Sequence, residues 1–245
     1  MQGQADGDDG TRSFPAAPGG PQQSAKEIMK PRLLDLFCGA GGAAMGYHRA
    51  GFEVVGVDIN PQPHYPFEFH QADAMTYPLD GFDAIHASPP CQWYSDGTRS
   101  GKVGAQPLIH PTRVRLHNAR VPYVIENVHG AAGHMSAGLM LCGSMFGLAV
   151  ERHRLFESPI YLWAPGQHDC AQSVRNRALF APPPGGPDDD RRVYGVTGHS
   201  RCAGTPEFWR QLMDMPWATG PVRETTEAIP PAYTEWIGRQ LLASL

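Results

Sequence analysis

The sequence has few cysteines and no long apolar run, and each shortage excludes a class of protein. Five cysteines in 245 residues, scattered without close pairs, argue against a disulfide framework and favour a reducing compartment. No apolar run approaches the length of a membrane span, and the amino end lacks the charged-then-apolar pattern of a signal peptide. We therefore expect a soluble, cytoplasmic chain without a membrane partner.

Basic charge is also scarce, which bears on nucleic-acid partners. The formal net charge of -4 does not by itself indicate such a partner, but local clusters decide these contacts. Between residues 99 and 120 the only charged side chains besides histidines are basic: Arg99, Lys102, Arg113, Arg115 and Arg120. This stretch could bind a phosphate backbone, or it could be a solvated helix face.

Composition divides the chain into four parts. These are a disordered tail at 1–30, an ordered domain at 31–157, a short variable segment at 158–205, and C-terminal helices at 206–245 that complete the ordered domain. The tail has no apolar period, and the Pro-, Gly- and Asp-rich run 181–190 cannot form a core. The last part predicts a short helix at 208–213 and a terminal helix at 235–245.

A strand, a glycine turn, a helix and a second strand open the ordered domain. The apolar run 33–37 leads into the glycine-rich turn 38–42, and Gly51 ends the helix that follows. The second strand ends in Asp58, about twenty residues past the turn, as in a nucleotide-type βαβ unit. The turn would let a ligand approach the backbone, and Asp58 would accept hydrogen bonds from ribose hydroxyls. Alternatively, the glycines serve only to pack a helix on a strand.

Two later strands should bring reactive groups to one edge of the sheet. The predicted strand 82–86 runs into the Pro-Pro-Cys sequence at 89–91, whose prolines favour a rigid loop. The predicted strand 121–125 delivers Glu126 to the same carboxyl edge, where α/β sheets bind ligands. Cys91 is therefore a candidate nucleophile and Glu126 its acid partner, although either could be an ordinary structural residue.

Several short motifs occur in a fixed order along the chain. They are Asp35-Leu-Phe-Cys-Gly-Ala-Gly-Gly42, Val57-Asp58, Asp73, Ser88-Pro-Pro-Cys-Gln92, Glu126-Asn-Val128 and Arg152-x-Arg154. The ordered set resembles the cytosine-5 DNA methyltransferase family over about 31–157, and 227–238 is similar to the closing helix of short, phage-type members. The resemblance implies an α/β, Rossmann-like S-adenosylmethionine-dependent methyltransferase fold with a small irregular target-recognition segment at 158–205.

The resemblance also implies a reaction. The Cys91 thiolate would add to carbon 6 of cytosine while Glu126 stabilises the ring at nitrogen 3 and the exocyclic amine. Arg152 and Arg154 would orient the base, and carbon 5 would then take the methyl group of S-adenosylmethionine. A cytosine in duplex DNA would first have to be flipped out. We accordingly expect a DNA cytosine-5 methyltransferase, monomeric and cytoplasmic, nucleoid-associated or phage-encoded in a bacterial host.

Further site residues follow from the same resemblance. On the cofactor side these are Asp35, Phe37, Gly39, Gly41, Asp58 on the ribose, Asp73 at the adenine, and Pro89. On the substrate side they are Gln92, Ser95, Arg99 and Asn127. Asp73, which follows an irregular insert at 64–69, could instead cap a helix.

The chain departs from the family pattern at three places. Ala149-Val150 stand where Pro-Gln is frequent, Tyr94 stands where Phe is usual, and 229–232 read Ile-Pro-Pro-Ala instead of Gly-Asn-Ser-Val. The short segment 158–205 favours a short or relaxed target sequence. It also leaves open the methylation of a free cytosine nucleotide or another small pyrimidine. A third alternative is a DNA-binding protein that has lost catalysis. The presence of Cys91, Glu126 and Arg152 together argues against it.

The variable segment also contains two histidine–cysteine pairs. His168-x-Cys170 and His199-x-x-Cys202 could ligate zinc and staple a stretch that is too small to fold by burial. Their spacing matches no standard zinc finger, so the alternative is a set of scattered side chains with no metal.

Overall fold

The structure is a computed structural model that describes residues 29–95, 106–136, 138–168, 177–178, 193–195 and 205–245. Almost all of the predicted tail lies outside these residues. So do Arg99, Cys170, His199 and Cys202, on which several expectations depend.

Ten strands occur in the described residues. They are β1 (Arg32–Leu36), β2 (Glu53–Asp58), β3 (Glu68–Gln71), β4 (Ala84–Ala87), β5 (Tyr123–Val128), β6 (Leu139–Leu141), β7 (Val150–Glu151), β8 (Arg154–Glu157), β9 (Arg177–Ala178) and β10 (Val193–Gly195). Seven form one sheet in the order β3-β2-β1-β4-β5-β8-β6, and three short ones form a second sheet in the order β7-β10-β9.

The large sheet is mixed. Strands β1 to β5 are parallel to their neighbours, β8 runs antiparallel to β5, and β6 runs antiparallel to β8. The inner strands β1, β2, β4 and β5 are buried along most of their length, as expected when helices cover both faces of a parallel sheet. The predicted α/β class is confirmed.

The described helices are α1 (Gly42–Ala50), α2 (Ile109–Ala119), α3 (Pro206–Leu212), α4 (Val222–Glu227) and α5 (Pro231–Leu242), with 3₁₀ helices at His129–His134 and Gly143–Phe146. Helices α1 and α5 pack on one face of the large sheet and α2 on the other, whereas α3 and α4 pack in a separate cluster with Val150 of β7. Successive residues of β1 point to opposite faces. Leu33 packs in a core with α1 and α5, whereas Leu34 packs in a core with Leu116 of α2.

Helix α5 packs closely on α1 and thereby joins the two ends of the described chain. The hydroxyl of Thr234 donates to the carbonyl of Ala43 at 2.8 Å. A Cβ on Gly46 would lie 2.2 Å from the carbonyl oxygen of Pro231, so only glycine fits there. The helix begins at Pro231, four residues before the predicted start at 235, because proline at the first position has a φ suited to a helix.

The expectation of an uncompensated basic stretch is wrong for Arg113 and Arg115, whereas Arg99 and Lys102 lie outside the described residues. Arg113 of α2 pairs with the buried carboxylate of Glu157, with Nη2 and Oε2 2.6 Å apart. Arg115 donates to the carbonyls of Ala74 and Tyr77. Both arginines therefore hold α2 to the rest of the domain. The predicted irregular insert at 64–69 is also too long, since β3 begins at Glu68.

The described helices include none with both the length and the apolar character needed to cross a membrane.

The strand order defines a crevice at the carboxyl edge of the sheet. Because β1 lies between β2 and β4, the connections after β1 and β4 leave toward opposite faces, and ligands of open α/β sheets bind outside the carboxyl ends at such a switch. The glycine turn follows β1, and the loop that bears Cys91 follows β4.

Candidate active site

The loop after β4 presents Cys91 on a braced backbone. The thiol-bearing residue is partly exposed, and its carbonyl accepts the N–H groups of Tyr94 at 2.9 Å and Ser95 at 3.0 Å. The Ser95 hydroxyl donates to the same carbonyl at 3.1 Å. From β5, the buried amide of Asn127 donates to the carbonyl of Pro89 at 2.8 Å. These bonds fix the loop on both sides of the cysteine.

Glu126, in the carboxyl-terminal half of β5, is a buried carboxylate with compensating partners. Its Oε1 lies 2.9 Å from Nε of Arg154 on β8, and both side chains are at most 15% exposed. The hydroxyl of Ser88 also bonds to it. Burial raises the pKa of Glu126, while Arg154, the Ser88 hydroxyl and Arg152 act in the opposite direction. The carboxyl group is therefore closer to neutrality than an exposed glutamate.

Arg152 is buried between the strand region and the C-terminal helices. Its Nη2 donates to the carbonyl of Glu227 at 2.7 Å, and its own carbonyl accepts the hydroxyl of Tyr233 at 2.8 Å. Burial lowers the pKa of Arg152 to about 9, and the neighbouring Arg154 acts in the same direction. The charges of Glu126 and Cys91 oppose this lowering. The guanidinium thus lies within electrostatic reach of the acid and the thiol.

A buried chain of hydrogen bonds leads to Glu126 from behind the sheet. The hydroxyl of Tyr47 lies 2.9 Å from Nδ1 of His86, and Nε2 of His86 lies 2.9 Å from the Ser88 hydroxyl. Burial lowers the pKa of His86 to about 3, so the ring is neutral. Because the Ser88 hydroxyl donates to the Glu126 carboxylate, its oxygen accepts the Nε2 proton of His86, and the unprotonated Nδ1 accepts the Tyr47 hydroxyl.

The sequence did not predict this series of hydrogen bonds from Tyr47 to Glu126. A signal was available, because His86 stands inside an otherwise apolar strand directly before Ala-Ser-Pro-Pro-Cys. The partners Tyr47 and Glu126 are forty residues away on either side, however, and only the folded sheet brings them together.

The turn after β1 has the backbone of a ligand cradle. Phe37, Gly39 and Gly41 have φ values of 57°, 50° and 85°. The carboxylate of Asp58 braces this turn by accepting the N–H of Gly39 at 3.1 Å and of Asn60 at 2.9 Å. A Cβ on Gly39 would meet no atom of the described residues within 4 Å, so the space in front of it is open.

Asp35 lies beside this turn, at the penultimate position of β1. Its side chain is buried, and its Oδ2 accepts the Tyr65 hydroxyl at 3.4 Å. Its Oδ1 is buried without a hydrogen-bond partner among the described residues. Burial raises the pKa of Asp35 well above the usual value, and the Tyr65 hydrogen bond opposes this. An orphaned buried acceptor beside an open glycine turn fits a ligand that carries donors or positive charge.

The remaining predicted site residues separate into surface and supporting positions. Asp73 is exposed, and its Oδ1 accepts the N–H of Met75 at 2.8 Å within a turn. No helix begins between β3 and β4, a stretch that the structure describes in full, so the alternative that Asp73 caps a helix is wrong. Gln92 is exposed and directly follows Cys91 in the loop after β4. Pro89, Ser95 and Asn127 are engaged in bracing the loop. Asn127 is 1% exposed and holds the carbonyl of Pro89, and its predicted substrate contact stays a prediction.

Two departures from the family pattern have a structural role. The hydroxyl of Tyr94, which phenylalanine lacks, accepts the N–H of Ile109 at 3.1 Å. It thereby satisfies a donor at the start of α2, where Leu108 offers no capping side chain. Val150 is buried in an apolar cluster with Trp209 and Met213, so it links β7 to α3.

The sequence is similar to those of known methyltransferases. Residues 31–141 match the model of the C-5 cytosine-specific DNA methylase family. The chain is 33% identical over 132 residues to the type II methyltransferase M1.HphI of Haemophilus parahaemolyticus, which covers 44% of this chain and 35% of that protein. It is 28% identical over 188 residues to the type II methyltransferase M.XorII of Xanthomonas oryzae pv. oryzae, covering 68% of this chain and 40% of that protein.

Solved structures share the fold. Spodoptera frugiperda DNMT2, as an E260A/E261A/K263A mutant, superposes with a TM-score of 0.59 at 12% identity, covering 86% of this chain and 99% of that chain. This confirms the predicted Rossmann-like methyltransferase fold. The chain spans well under half the length of the two type II methyltransferases above.

The neutral, buried His86 predicts a specific pH dependence of stability. Its folded-state pKa is lowered from the ordinary 6.5 to about 3, so below pH 6.5 the unfolded chain takes up a proton that the folded chain excludes, and stability falls. Between pH 6.5 and 5.0 this one group should cost about 1.5 kcal/mol. The His86→Gln variant should be less stable than wild type overall. Between pH 6.5 and 5.0, however, its free energy of unfolding, measured in urea, should fall by about 1.5 kcal/mol less than that of wild type.

The matched control is His110→Gln, at an exposed position of α2, which should keep the wild-type pH slope. Equal slopes for wild type and His86→Gln would mean that the ring is not held neutral in the folded protein.

Proposed function

We propose that the chain is a member of the C-5 cytosine-specific DNA methylase family, whose model matches residues 31–141, and that it transfers a methyl group from S-adenosylmethionine to carbon 5 of cytosine in DNA. The observation that carries this proposal is the placement of three groups at one edge of the sheet. A partly exposed thiol follows β4, a buried, arginine-paired carboxyl group lies near the carboxyl end of β5, and an open glycine turn follows β1, and these three strands are parallel neighbours.

The proposed chemistry starts from the weakness of carbon 5 as a nucleophile. The sulfur of Cys91 adds to carbon 6, and the displaced ring electrons are stabilised by a hydrogen bond from Glu126 at ring nitrogen 3. The raised pKa of Glu126 supports this role, because a protonated carboxyl group can donate. Carbon 5 then takes the methyl group, its proton is lost to a base, and the bond from carbon 6 to sulfur breaks to release Cys91.

The arginines and the hydroxyl chain position these groups. The ion pair with Arg154 fixes the orientation of Glu126, and Ser88 holds the acid from the other side. Arg152 supplies positive charge near both Glu126 and Cys91. Its bonds to the backbone near α4 and to Tyr233 of α5 tie that charge to the closing helices, so the base would meet a rigid set of donors.

The cofactor would be held by the turn after β1. Bound S-adenosylmethionine supplies an electrophilic methyl group on a sulfonium sulfur. Gly39 leaves its backbone accessible, Asp58 retains lone pairs for ribose hydroxyls, and Asp35 offers an unsatisfied buried oxygen to a cationic or N–H group. The residues present therefore fit this group, with Phe37 and Gly41 completing the turn.

DNA is the proposed partner, and residues 158–205, between β8 and α3, are the proposed target-recognition segment. The strand that enters this segment is β8, which also carries Arg154. A recognition segment attached there would act directly next to the paired acid.

Covalent trapping tests the proposed function. When carbon 5 carries fluorine, the final loss of a proton is impossible, so the bond between Cys91 and carbon 6 should persist. Wild-type protein with S-adenosylmethionine and 5-fluorocytosine DNA should form an adduct that survives denaturing electrophoresis, and Cys91→Ala should form none. The Tyr94→Phe variant, which keeps the thiol, should still form it.

The same assay distinguishes the rival substrate. An adduct with 5-fluorodeoxycytidine monophosphate but not with duplex DNA would favour the small-substrate alternative. An adduct of equal yield with Cys91→Ala would contradict the proposed nucleophile.

Gly39→Ala tests the proposed cofactor turn. The added methyl group would occupy the open space in front of the turn, so the dissociation constant for S-adenosylmethionine, measured by calorimetry, should rise at least about tenfold, or about 1.4 kcal/mol. Gly147→Ala is a matched control, because Gly147 also has a positive φ of 70° and open space around it but lies at another turn. Equal affinities for the two variants would mean that the turn does not hold the cofactor.

A further inference from the structure

Three side chains with metal-binding atoms meet near the active site without a role in the proposed chemistry. They are Cys142, which follows β6, His153, which lies between Arg152 and Arg154, and His168. One ligand atom from each lies within 4.8 Å of the other two. We call this group the Cys142 cluster.

The geometry of the Cys142 cluster is close to that of a coordination site. Tetrahedral zinc with ordinary Zn–S and Zn–N bonds separates its ligand atoms by roughly 3.3–3.6 Å. The Nε2 atoms of His153 and His168 are 2.9 Å apart, so entry of an ion requires them to separate by only about 0.5 Å. The His153 and His168 rings meet edge to face with centroids 4.9 Å apart.

The chemistry of the ligands selects the metal. A thiolate with two imidazoles is a borderline-soft set that suits zinc and does not suit magnesium or calcium. The burial of Cys142 gives the sulfur a dry environment, whereas His168 is exposed and gives an ion a route from solvent. Three protein ligands leave the fourth tetrahedral position to water or to another side chain.

The three ligands come from three separate parts of the chain. Cys142 follows the edge strand β6, and His153 directly precedes β8. His168 lies eleven residues past Glu157, the last residue of β8, and inside the proposed recognition segment. An ion held by all three would tie the first part of that segment to the strand that carries Arg154. The sequence expectation of zinc on His168, Cys170, His199 and Cys202 included only one of these ligands.

We propose that Cys142, His153 and His168 bind a zinc ion that fixes the start of the 158–205 segment against β8. The ion is structural: it positions the chain next to the paired arginines and takes no part in methyl transfer. The proposal therefore stands independently of the proposed function, and its readout is metal content.

Metal analysis of untagged, purified full-length protein tests this directly. After loading with zinc and dialysis, wild type should retain about one zinc per chain by plasma mass spectrometry, and His168→Ala should bind zinc at least about a hundredfold more weakly. His168 is exposed, so this variant should keep the wild-type circular dichroism spectrum. His129→Ala is the matched control, since its exposed ring lies 6.4 Å from that of His153 but outside the cluster, and it should retain zinc.

Cobalt replacement identifies the sulfur ligand. Co²⁺-loaded wild type should show a thiolate-to-metal charge-transfer band in the near ultraviolet, and Cys142→Ser should lack it. The proposal is overturned if wild type retains no zinc, or if His168→Ala binds zinc as tightly as wild type. Zinc retention by Cys142→Ser together with its loss from Cys170→Ser would instead assign the ion to the histidine–cysteine pairs of the sequence, which share His168 with the Cys142 cluster.

Discussion

The burial of one carboxyl group, that of Glu126, is the constraint on which the site depends. A buried carboxylate without a partner costs several kcal/mol, so the fold must supply compensating charge and donors. Arg154 does so from β8 at 2.9 Å, and Ser88 does so from the loop after β4. The antiparallel return of β8 along β5 is therefore a requirement of the site as well as a feature of the sheet.

One strand end organises both halves of the site. Glu126 and Asn127 are consecutive in β5, yet Glu126 pairs with arginine while Asn127 holds the carbonyl of Pro89. Because neighbouring residues of a strand point in opposite directions, the same two residues fix the acid and the loop that bears Cys91. Any shift in the pairing of β5 would disturb both together.

Local patterns made much of the fold predictable. The apolar run of β1, the glycine turn and Gly51 at the end of α1 are signals carried by adjacent residues, and parallel topology then puts Cys91 and Glu126 at one edge. Contacts between distant residues could not be read in this way. The pairing of Arg113 with Glu157, the chain through His86 and the Cys142 cluster all depend on side chains that only the returning strands bring together.

The central claim is that a thiol and an arginine-held carboxyl group act on the same cytosine. The most direct measurement is bisulfite sequencing of DNA from bacteria that express wild type, Cys91→Ala or Glu126→Gln. The account predicts new methylated cytosines in a recurring sequence context with wild type, none with Cys91→Ala, and a large reduction with Glu126→Gln. Identical cytosine methylation in all three strains, or no methylation with wild type, would contradict it.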